Sequence, residues 1–322
     1  MYGKDTTLAL CFQDSYGTAQ VDSPYFLSFL SEGLWPAKEQ LIEQGMQGRF
    51  DEGAHHEGIN SIEGDLQVEA NPISLGALLA AFFDVSTVET LATGVYKHHF
   101  VPRTSDFDAS AAANPVTLVK DFSDGSSAHL LYDMVASKLA LAVSNGEFLT
   151  ATLSLMGGKY SRQAPLSAAY PDAAPWAWDV TSVQVGGAAK DGFGSATITL
   201  DESMAAKHTL STQKTPNRIK RDGFRTLEVD GNYLFDDETE LQQFMDQTEQ
   251  ALILNFKGTS EISSGYYEEL TIDVPALRYT EFPVQVGGPG EIEVSVKGKG
   301  VYDVGSGRSV EITLVNTQAA YR

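Results

Sequence analysis

The chemistry open to this chain depends on its histidines, carboxylates and single thiol, because metal and acid–base sites need such groups. Two adjacent histidine pairs stand out, His55-His56 and His98-His99. The first pair lies in a stretch punctuated by glycines and lacks the i, i+4 spacing of a helical zinc motif. The second lies in an alternating run typical of a strand, where neighbouring side chains point to opposite faces. Neither pair is predicted to hold a metal ion.

Other site motifs are equally weak. Asp106, Asp108, Asp121 and Asp124 lack the repeating ligands and closing glutamate of an EF-hand calcium loop, so we interpret them as turn residues. A glycosidase needs two placed carboxylates, and among 43 acidic residues no pair can be selected. The sequence has no Gly-x-Ser-x-Gly nucleophile motif, phosphate-binding loop or dinucleotide fingerprint. It therefore predicts no catalytic residue, no metal, no cofactor and no enzyme.

The expected compartment is a reducing one. Cys11 is the single cysteine, so it cannot form an intramolecular disulfide. It lies in the alternating run Leu8, Leu10, Phe12 and is interpreted as a small residue near a strand edge. The first residues lack the apolar segment of a signal peptide, so we expect no secretion. The longest apolar run, residues 75–85, is too short and too amphipathic for a membrane span.

The charge balance is strongly acidic, with 22 basic against 43 acidic residues and a formal net charge of −21. Proteins that grip DNA neutralise its phosphates with Lys and Arg, so this chain is expected to repel a duplex. Such charges act over only about 8 Å at physiological salt. They would therefore have to line a passage directly in order to let DNA move through it without sticking.

The elements that position these residues are organised around residues 62–82 and an echo at residues 227–245. Both begin with alternating apolar and polar side chains, which is typical of a strand with one buried face. In the first copy Ile62, Gly64, Leu66, Val68 and Ala70 oppose Glu63, Asp65, Gln67 and Glu69; in the second Leu227, Val229, Gly231, Tyr233 and Phe235 oppose Glu228, Asp230 and Asn232.

Each strand leads into a helix signal. Asn71 is predicted to cap a helix that starts at Pro72, and Asp237 to cap one with Glu240 at its third position. The apolar stripes of the two amphipathic helices are Leu75, Leu78, Leu79 and Phe82, and Leu241, Phe244 and Met245. We interpret this repetition as an internal duplication; the alternative is coincidence, since a strand followed by a helix is common.

A loop precedes each of these strands. Residues 44–60 carry Arg49, His55, His56 and Glu57, and residues 211–225 carry Lys214, Arg218, Lys220, Arg221 and Arg225. The basic loop is either a solvated surface loop or a contact with the acidic surface of another copy. Head-to-tail contacts between unlike patches generate rings or open stacks, so the second interpretation favours self-assembly.

The rest of the chain predicts a β-rich protein in two parts. Residues 1–24 form an arm, 25–160 a first domain, 161–175 a Pro- and Ala-rich linker and 176–322 a second domain. Further strands are predicted at residues 25–43, 96–102, 116–122, 130–143, 149–155, 180–184, 198–200, 204–210, 251–256, 269–274, 277–282, 291–297 and 310–316. If Gly146-Glu147 matches Gly290-Glu291, the apolar faces that follow are one residue out of phase, so a bulge is expected in one copy.

Several stretches resemble the tail tube proteins of long-tailed bacteriophages. They are Pro283-Val-Gln-Val-Gly-Gly-Pro-Gly-Glu-Ile-Glu-Val294, the ending Val310-Glu-Ile-Thr-Leu-Val-Asn-Thr317, Tyr16-Gly17-Thr18-Ala19, the hairpin before Met156-Gly157-Gly158, and the strand and helix at residues 62–82. The likeness spans most of the chain, and the order of these short motifs carries more weight than any one of them.

The resemblance implies a mainly β protein with two tandem tail-tube-like β-barrel or sandwich domains, each with a flanking α-helix. It implies rings that stack into a tube in the virion tail after assembly in the host cytoplasm. Partners would be further copies, as a homotrimer with pseudo-six-fold symmetry, the tape-measure protein, and the tail terminator and distal tail proteins. DNA would pass through without specific binding.

The resemblance also implies roles for particular residues. The two loops would contact the adjacent ring through Arg49, His55, His56, Lys214, Arg218, Lys220, Arg221 and Arg225. The acidic strand faces would line the lumen with Glu63, Asp65, Glu69, Glu228, Asp230, Glu291 and Glu293. The alternative function is a β-rich carbohydrate-binding or adhesin-like module. Trp176 and Trp178, which alternate along the chain, could supply its aromatic surface.

Overall fold

The computed structural model describes residues 2–45, 48, 50–104, 115–123, 125–236 and 238–321. This part of the chain is mainly β, as predicted, with two α-helices, Pro72–Phe82 (α1) and Thr239–Met245 (α2), and 3-10 turns at Gly3–Asp5 and Trp178–Val180. The strands are β1 Thr7–Phe12, β2 Tyr25–Phe26, β3 Phe29–Glu32, β4 Pro36–Ile42, β5 His55–Glu69, β6 Asp84–Ala92, β7 Val95–Val101, β8 Val116–Asp121, β9 Ala128–Ser144, β10 Thr150–Gly157, β11 Lys159–Gln163, β12 Thr181–Val185, β13 Ala188–Lys190, β14 Phe193–Asp201, β15 Met204–Lys207, β16 Arg218–Arg221, β17 Thr226–Leu234, β18 Gln250–Ser263, β19 Tyr266–Glu281, β20 Glu293–Gly300 and β21 Glu311–Asn316.

One antiparallel sheet runs through the molecule in the order β3/β4–β5–β10–β9–β14–β17–β20–β19. Its inner face packs on the main core, to which both α-helices and both ends of the chain contribute. The pairing of β9 with β14 joins strands from the first and second halves of the sequence. The alternation predicted at β5 and β17 is confirmed, because Leu66, Val68, Leu227 and Val229 are buried on that inner face.

Two long hairpins project from this sheet. In the first, β3 and β4 pair with β5; in the second, β14 and β15 pair with β17 and β16. The predicted loops are therefore wrong in part. Residues 55–60 belong to β5, and residues 218–221 form β16, so the connecting tips are residues 43–54 and 208–217. The alternation of apolar and polar residues that indicates a strand is not visible there, because most side chains are polar or charged.

The first helix differs from the predicted amphipathic helix in its burial. Asn71 caps it as predicted, since its side-chain oxygen accepts hydrogen bonds from the N–H groups of Ile73 (3.1 Å) and Ser74 (2.8 Å). However, α1 is buried on nearly all sides and not along one stripe only. Around it lie β9, β21, β19 and β2, together with Tyr321 near the chain terminus.

The second helix is short. Leu241 and Phe244 pack against the core as predicted, but Met245 is 67% exposed, so its assignment to the buried stripe is wrong. The helix begins after Glu238, which makes no side-chain capping bond. The predicted cap, Asp237, lies outside the described residues.

Three strands depart from the sequence prediction. The strand β6 was not predicted; it forms a hairpin with β7, which pairs in turn with β21. The strand β11 begins at Lys159 and pairs with β9, so regular structure extends beyond residue 160 into the stretch assigned to a linker. The strand β19 is continuous although two strands were predicted around Pro275. The turns at Asn145-Gly146 and Gly186-Gly187 are confirmed.

Irregularities in strand pairing recur at matching places in the two halves. The register of β10 with β9 shifts around Ser137, and that of β20 with β19 shifts around Thr280. The Ser137 hydroxyl donates to the carbonyl of Ser154 at 3.2 Å, and the Thr280 hydroxyl donates to that of Lys297 at 3.2 Å. Two further shifts match in the same way. The shift between Phe29 and Ser31 corresponds to that between Phe193 and Ser195. The shift between Val116 and Leu118 corresponds to that between Gln250 and Leu252.

These pairings remove the phase problem expected for β10 and β20. Gly157 lies opposite Ile62, and Gly300 lies opposite Leu227, so Leu149, Ala151 and Leu153 correspond to Ile292, Val294 and Val296. The apolar faces are thus in phase, and the two Gly-Glu pairs are the features that are one residue out of step. The bulge that was expected within one of these two strands is not needed.

The chain terminus is fastened to α1. Tyr321 is 3% exposed, and its hydroxyl lies 3.2 Å from the carbonyl oxygen of Pro72 and accepts a 2.6 Å hydrogen bond from the Asn316 side chain. A Cβ at Gly76 would fall 2.0 Å from the Tyr321 ring. Glycine is therefore required at this helical position by a neighbouring ring and not by backbone conformation.

Gly76→Ala is expected to destabilise the protein by about 1–3 kcal/mol, the usual cost of overpacking a dense core. In an ordinary helix the same change stabilises by about 0.5–1 kcal/mol. Urea unfolding measures the difference. In a Tyr321→Ala background the same substitution should be less costly, because the ring that it meets has gone. A stabilising effect in the wild-type background would contradict the packing.

Candidate assembly surfaces

The outer face of the central sheet gathers carboxylates from both halves of the chain. Cross-strand pairs lie on the same face of a sheet, and the pairing sets of β5, β10, β9, β14, β17 and β20 put Glu63, Asp65, Glu69, Glu228, Asp230 and Glu293 on one face. We call these six residues the acidic face. All six are exposed or half-buried. Glu291, the seventh predicted member, is exposed but precedes β20.

The two halves of the acidic face differ in their neighbours. In the second half Asp230 lies opposite Lys297, and Glu228 lies 3.6 Å from Lys299. In the first half Glu69 lies opposite Thr150, and Asp65 accepts a 2.5 Å hydrogen bond from Ser154. Between them run small residues of β9, β10 and β14, namely Ala140, Ala142, Thr152, Thr197 and Thr199. The surface combines negative charge with few large side chains.

The base of the second hairpin is held by a buried carboxylate. Glu202, 3% exposed, binds Arg221 and also Arg225, whose Nε lies 2.7 Å from its Oε1. Arg225 also donates to the carbonyl of Arg103 at 2.6 Å. Arg103 in turn donates to the carbonyl of Ala81 at the end of α1, at 3.0 Å. Arg221 and Arg225 thus tie the hairpin to the body of the same chain.

The tip of the second hairpin rests on the first. The Nζ of Lys214 lies 2.5 Å from Glu57, and its carbonyl accepts a 2.9 Å hydrogen bond from the Asn60 N–H. The Tyr16 hydroxyl also donates to the Pro216 carbonyl at 3.2 Å. Hydrogen bonds from Lys214 and Asn60 lower the pKa of the Glu57 carboxyl to about 2. Lys214 therefore has a partner within the chain.

The remaining predicted contact residues lie on the hairpins. His55 and His56 are exposed at the start of β5, with His55 3.6 Å from Glu52. Arg218 is exposed and Lys220 half-buried on β16. Arg49 lies outside the described residues. Lys214, Arg218 and Lys220 thus share one hairpin, and the histidines lie on the other.

Two residues on the tips were missed by the sequence reasoning. Phe50 lies on the first tip and Leu210 on the second, and both are fully exposed. A large apolar side chain in water is a poor fit for a solvated loop, and exposed apolar groups often mark contact surfaces. The available signal was an aromatic or large aliphatic residue, Phe50 or Leu210, within each mostly polar stretch.

The groups weighed for chemistry are occupied in other ways. His98 is buried, its Nε2 lies 2.8 Å from the Gln318 carbonyl, and burial lowers its pKa. His99 lies 2.8 Å from Glu311. Burial, followed by the charge of Asp22, raises the pKa of the Cys11 thiol to about 12. No group of three or more His, Cys, Asp or Glu side chains placed to hold a metal occurs among the described residues.

Trp176 and Trp178 do not form the paired aromatic surface suggested for a carbohydrate-binding module. Trp176 is 3% exposed and belongs to the core, whereas Trp178 is 47% exposed and begins a 3-10 turn. The expectation that both alternate on one strand face is therefore wrong. Within the described helices, none combines the length and apolar character needed to cross a membrane.

The distinctive features of the described residues are the two unlike faces of the central sheet and the two hairpins. The model of the phage tail tube protein family matches residues 3–300, so the chain belongs to this family and the resemblance seen in the sequence is confirmed. Membership gives the protein a structural role in the tail tube, in the virion tail, with its own copies and other tail components as partners. A comparison with individual curated proteins gives no match.

Proposed function

We propose that this protein forms rings whose stacking builds the tail tube, with the acidic face turned to the lumen. One observation carries the proposal: a single sheet runs across the whole chain, with polar and acidic side chains on one face and the core on the other. A sheet of this kind closes into a barrel when its two end strands pair with those of neighbouring copies. Closure also removes exposed edges that would otherwise aggregate.

The number of chains in a ring follows from the duplication together with the six-unit ring that the family resemblance implies. We infer that residues 25–160 and 176–322 are two copies of one unit, with residues 1–24 as an arm and 161–175 as the connection. The recurring register shifts and the paired hydroxyl contacts of Ser137 and Thr280 support this inference. Three chains then supply six units, which gives a homotrimer with pseudo-six-fold symmetry.

The lumen houses the tape-measure protein during assembly and conducts DNA during ejection. Glu63, Asp65 and Glu69 supply charge that repels phosphates, while the alanines and threonines of β9 and β14 offer DNA few groups to bind. The tube ends meet the tail terminator and distal tail proteins. Assembly takes place in the host cytoplasm, before the tube becomes part of the virion tail.

The hairpins make the contacts between rings. Each carries an exposed apolar tip residue, Phe50 or Leu210, and basic or histidine side chains that are exposed or half-buried. Within this set Arg218, Lys220, His55 and His56 face the next ring. Arg221 and Arg225 act indirectly, because they hold the second hairpin in place through Glu202.

Negative-stain electron microscopy of the purified protein tests the proposal. Rings of three chains, or tubes made of them, are the expected result, with a mass of three chains in light scattering for the single ring. A strictly monomeric species at high protein concentration would contradict it. Binding to glycans without self-assembly would favour the alternative module.

Reversing the charge of Arg218 and Lys220 together, as Arg218→Glu/Lys220→Glu, is expected to shorten tubes strongly while leaving the unfolding midpoint nearly unchanged. The reason is that surface charges set the register between rings more than the stability of the subunit. Tube length by microscopy and the midpoint of urea unfolding are the two measurements.

A matched control for this prediction is Lys4→Glu/Lys257→Glu, which makes the same change of net charge on other elements and should leave tube length unchanged. Arg221→Glu, in contrast, should lower the midpoint itself, because Arg221 binds the buried Glu202. Tubes of normal length and yield from the Arg218→Glu/Lys220→Glu variant would remove these residues from the ring contact.

A further inference from the structure

The joint between the two halves of the chain provides a template for the joint between two chains. At this joint β14 runs antiparallel to the last part of β9, with Ser195 opposite Ser144 and Asp201 opposite Lys138. The backbone hydrogen bonds from Asn145 to Gly194 and from Glu202 to Ser137, both 2.9 Å, fix this register at its two ends.

Each partner in the joint has a counterpart at an outer edge of the sheet. The counterpart of β14 is the edge formed by β3 and β4. In the first half Glu32 lies opposite Leu66, and in the second half Ala196 lies opposite Gly231, which is the counterpart of Leu66. The counterpart of β9 is β19, since the shift at Ser137 recurs at Thr280. Continuing that correspondence, residues 138–144 match residues 281–287, and residues 195–201 match residues 31–37.

Both counterpart edges are open. Within the described residues, β3 and β4 have a strand partner on the β5 side alone. Beyond Leu277, β19 pairs with β20 and, in the part of the chain that the structure describes, has no strand on its other side. The same limit occurs in β9, where pairing with β8 ends at Met134, the counterpart of Leu277, and leaves that side free for β14.

Residues 282–287 carry the pattern of a strand without forming one. Phe282 is buried, Val284 half-buried and Val286 exposed, while Pro283 and Gln285 between them are exposed. Their counterparts Leu139, Leu141 and Val143 form the buried face of β9. Val143 is 8% exposed in the joint with β14, whereas Val286 is 74% exposed.

We propose that residues 281–287 of one chain become a strand by pairing antiparallel with residues 31–37 of a second copy of this chain, Glu281 opposite Ala37 and Gly287 opposite Ser31. The proposal rests on the ring-forming function above and adds its residues and register. This pairing buries Val286 against the second copy, in the same way that β14 buries Val143 in the internal joint. One of the segments that carry the family resemblance, residues 283–294, thereby has a structural role in closing the ring through its first residues.

The hydrogen-bond pattern follows from the internal joint. The Asn145 N–H bonds to the Gly194 carbonyl beside the pair Ser195–Ser144, and the Glu202 N–H bonds to the Ser137 carbonyl beside the pair Asp201–Lys138. Both pairs are therefore of the non-hydrogen-bonded kind in an antiparallel ladder. Glu281–Ala37 is then also non-hydrogen-bonded, with its side chains close together. In the paired strand the N–H groups of Phe282, Val284 and Val286 point to the second copy, so Val284 exchanges the 3.1 Å hydrogen bond that its N–H donates to the Phe282 carbonyl for one between chains. Pro36 has no N–H to donate, so one bond of the ladder is missing, as is common at a protected edge.

Disulfide trapping tests the register. In Ala37→Cys/Glu281→Cys the two thiols of one chain lie on opposite edges of the sheet, seven strand spacings or about 33 Å apart along the sheet, so they can pair only between chains. Oxidation of assembled protein is expected to convert most chains into covalent species that end at three chain lengths. Cys11 does not interfere, because it is buried.

Lys38→Cys/Glu281→Cys is the matched control, since residue 38 points to the opposite face from residue 37, and it should crosslink at least tenfold less. A second readout is hydrogen exchange, where the N–H groups of Phe282, Val284 and Val286 should become protected in rings compared with dilute monomer. Rings that show equal crosslinking for both pairs, or none, with no new protection would overturn the register but leave the ring intact. Absence of rings for the wild type would overturn both proposals.

Discussion

Glu202→Ala should lower the free energy of unfolding by about 3–5 kcal/mol, because it leaves Arg221 and Arg225 without their carboxylate in a site that water reaches poorly. The backbone bond from the Glu202 N–H to the Ser137 carbonyl, 2.9 Å long, is kept by alanine, so the effect reports the side chain alone. Urea unfolding at protein concentrations below assembly measures the effect on the single chain.

Asp222→Ala is the matched control in the same hairpin. Asp222 pairs with Lys207 at 2.8 Å, but both side chains are more than half exposed, so its removal should cost less than about 1 kcal/mol. Glu202→Gln should fall between the two, since it keeps an acceptor and loses the charge. Equal effects of Glu202→Ala and Asp222→Ala would show that burial of Glu202 contributes nothing.

Asp133→Ala is the second large change, with an expected loss of about 3–5 kcal/mol. Asp133 is fully buried in the bend of β9 and lies 2.8 Å from Lys159. Its Oδ1 also accepts hydrogen bonds from Gln13 at 3.0 Å and from the Gly17 N–H at 2.7 Å. Removing the carboxylate leaves a half-buried cation and the Gly17 N–H without this acceptor, while the Gln13 amide keeps only its 2.8 Å bond to the Thr18 carbonyl and a longer one to Ser15.

The backbone conformation of Asp133 adds to this cost. Its φ is 57°, in the left-handed region where Asp and Asn are tolerated better than alanine. Asp133→Asn should therefore be milder than Asp133→Ala, as it keeps the backbone preference and one acceptor. Asp5→Ala, which removes an exposed partner of Lys4, serves as the surface control. An Asp133→Ala variant within about 0.5 kcal/mol of wild type would contradict the role of this bend.

Elements that depend on residues close together in sequence were predicted correctly. The alternation around Leu66 and Val229, the Asn71 cap before Pro72 and the turn at Asn145-Gly146 all depend on residues close in sequence, and each is found in the structure. The strand β6 was missed because it follows a buried helix without clear alternation. The strand β19 was divided at Pro275, which the structure accommodates where its pairing with β18 shifts register.

The sequence predicted which charged residues form the candidate surfaces, but not which residues they contact. The acidic residues of β5 and β17 were identified from alternation, yet their common face depends on the β9–β14 joint, which links residues far apart in sequence. In the same way, the basic stretch suggested an external partner for Lys214 and Arg221, whereas Glu57 and Glu202 bind them within the chain. Pattern alone reports which charges are present, and only the folded topology reports which are already neutralised.

The β9–β14 joint also affects how fast a ring can nucleate. In the proposed trimer, half of the unit-to-unit joints form during folding of the individual chains, so only three have to form by collision. Each tethered unit is presented to its neighbour at an effective concentration far above that of free subunits. The rate of ring formation should therefore depend on a lower power of protein concentration than for a chain with a single unit, and tube growth should start from a more dilute pool.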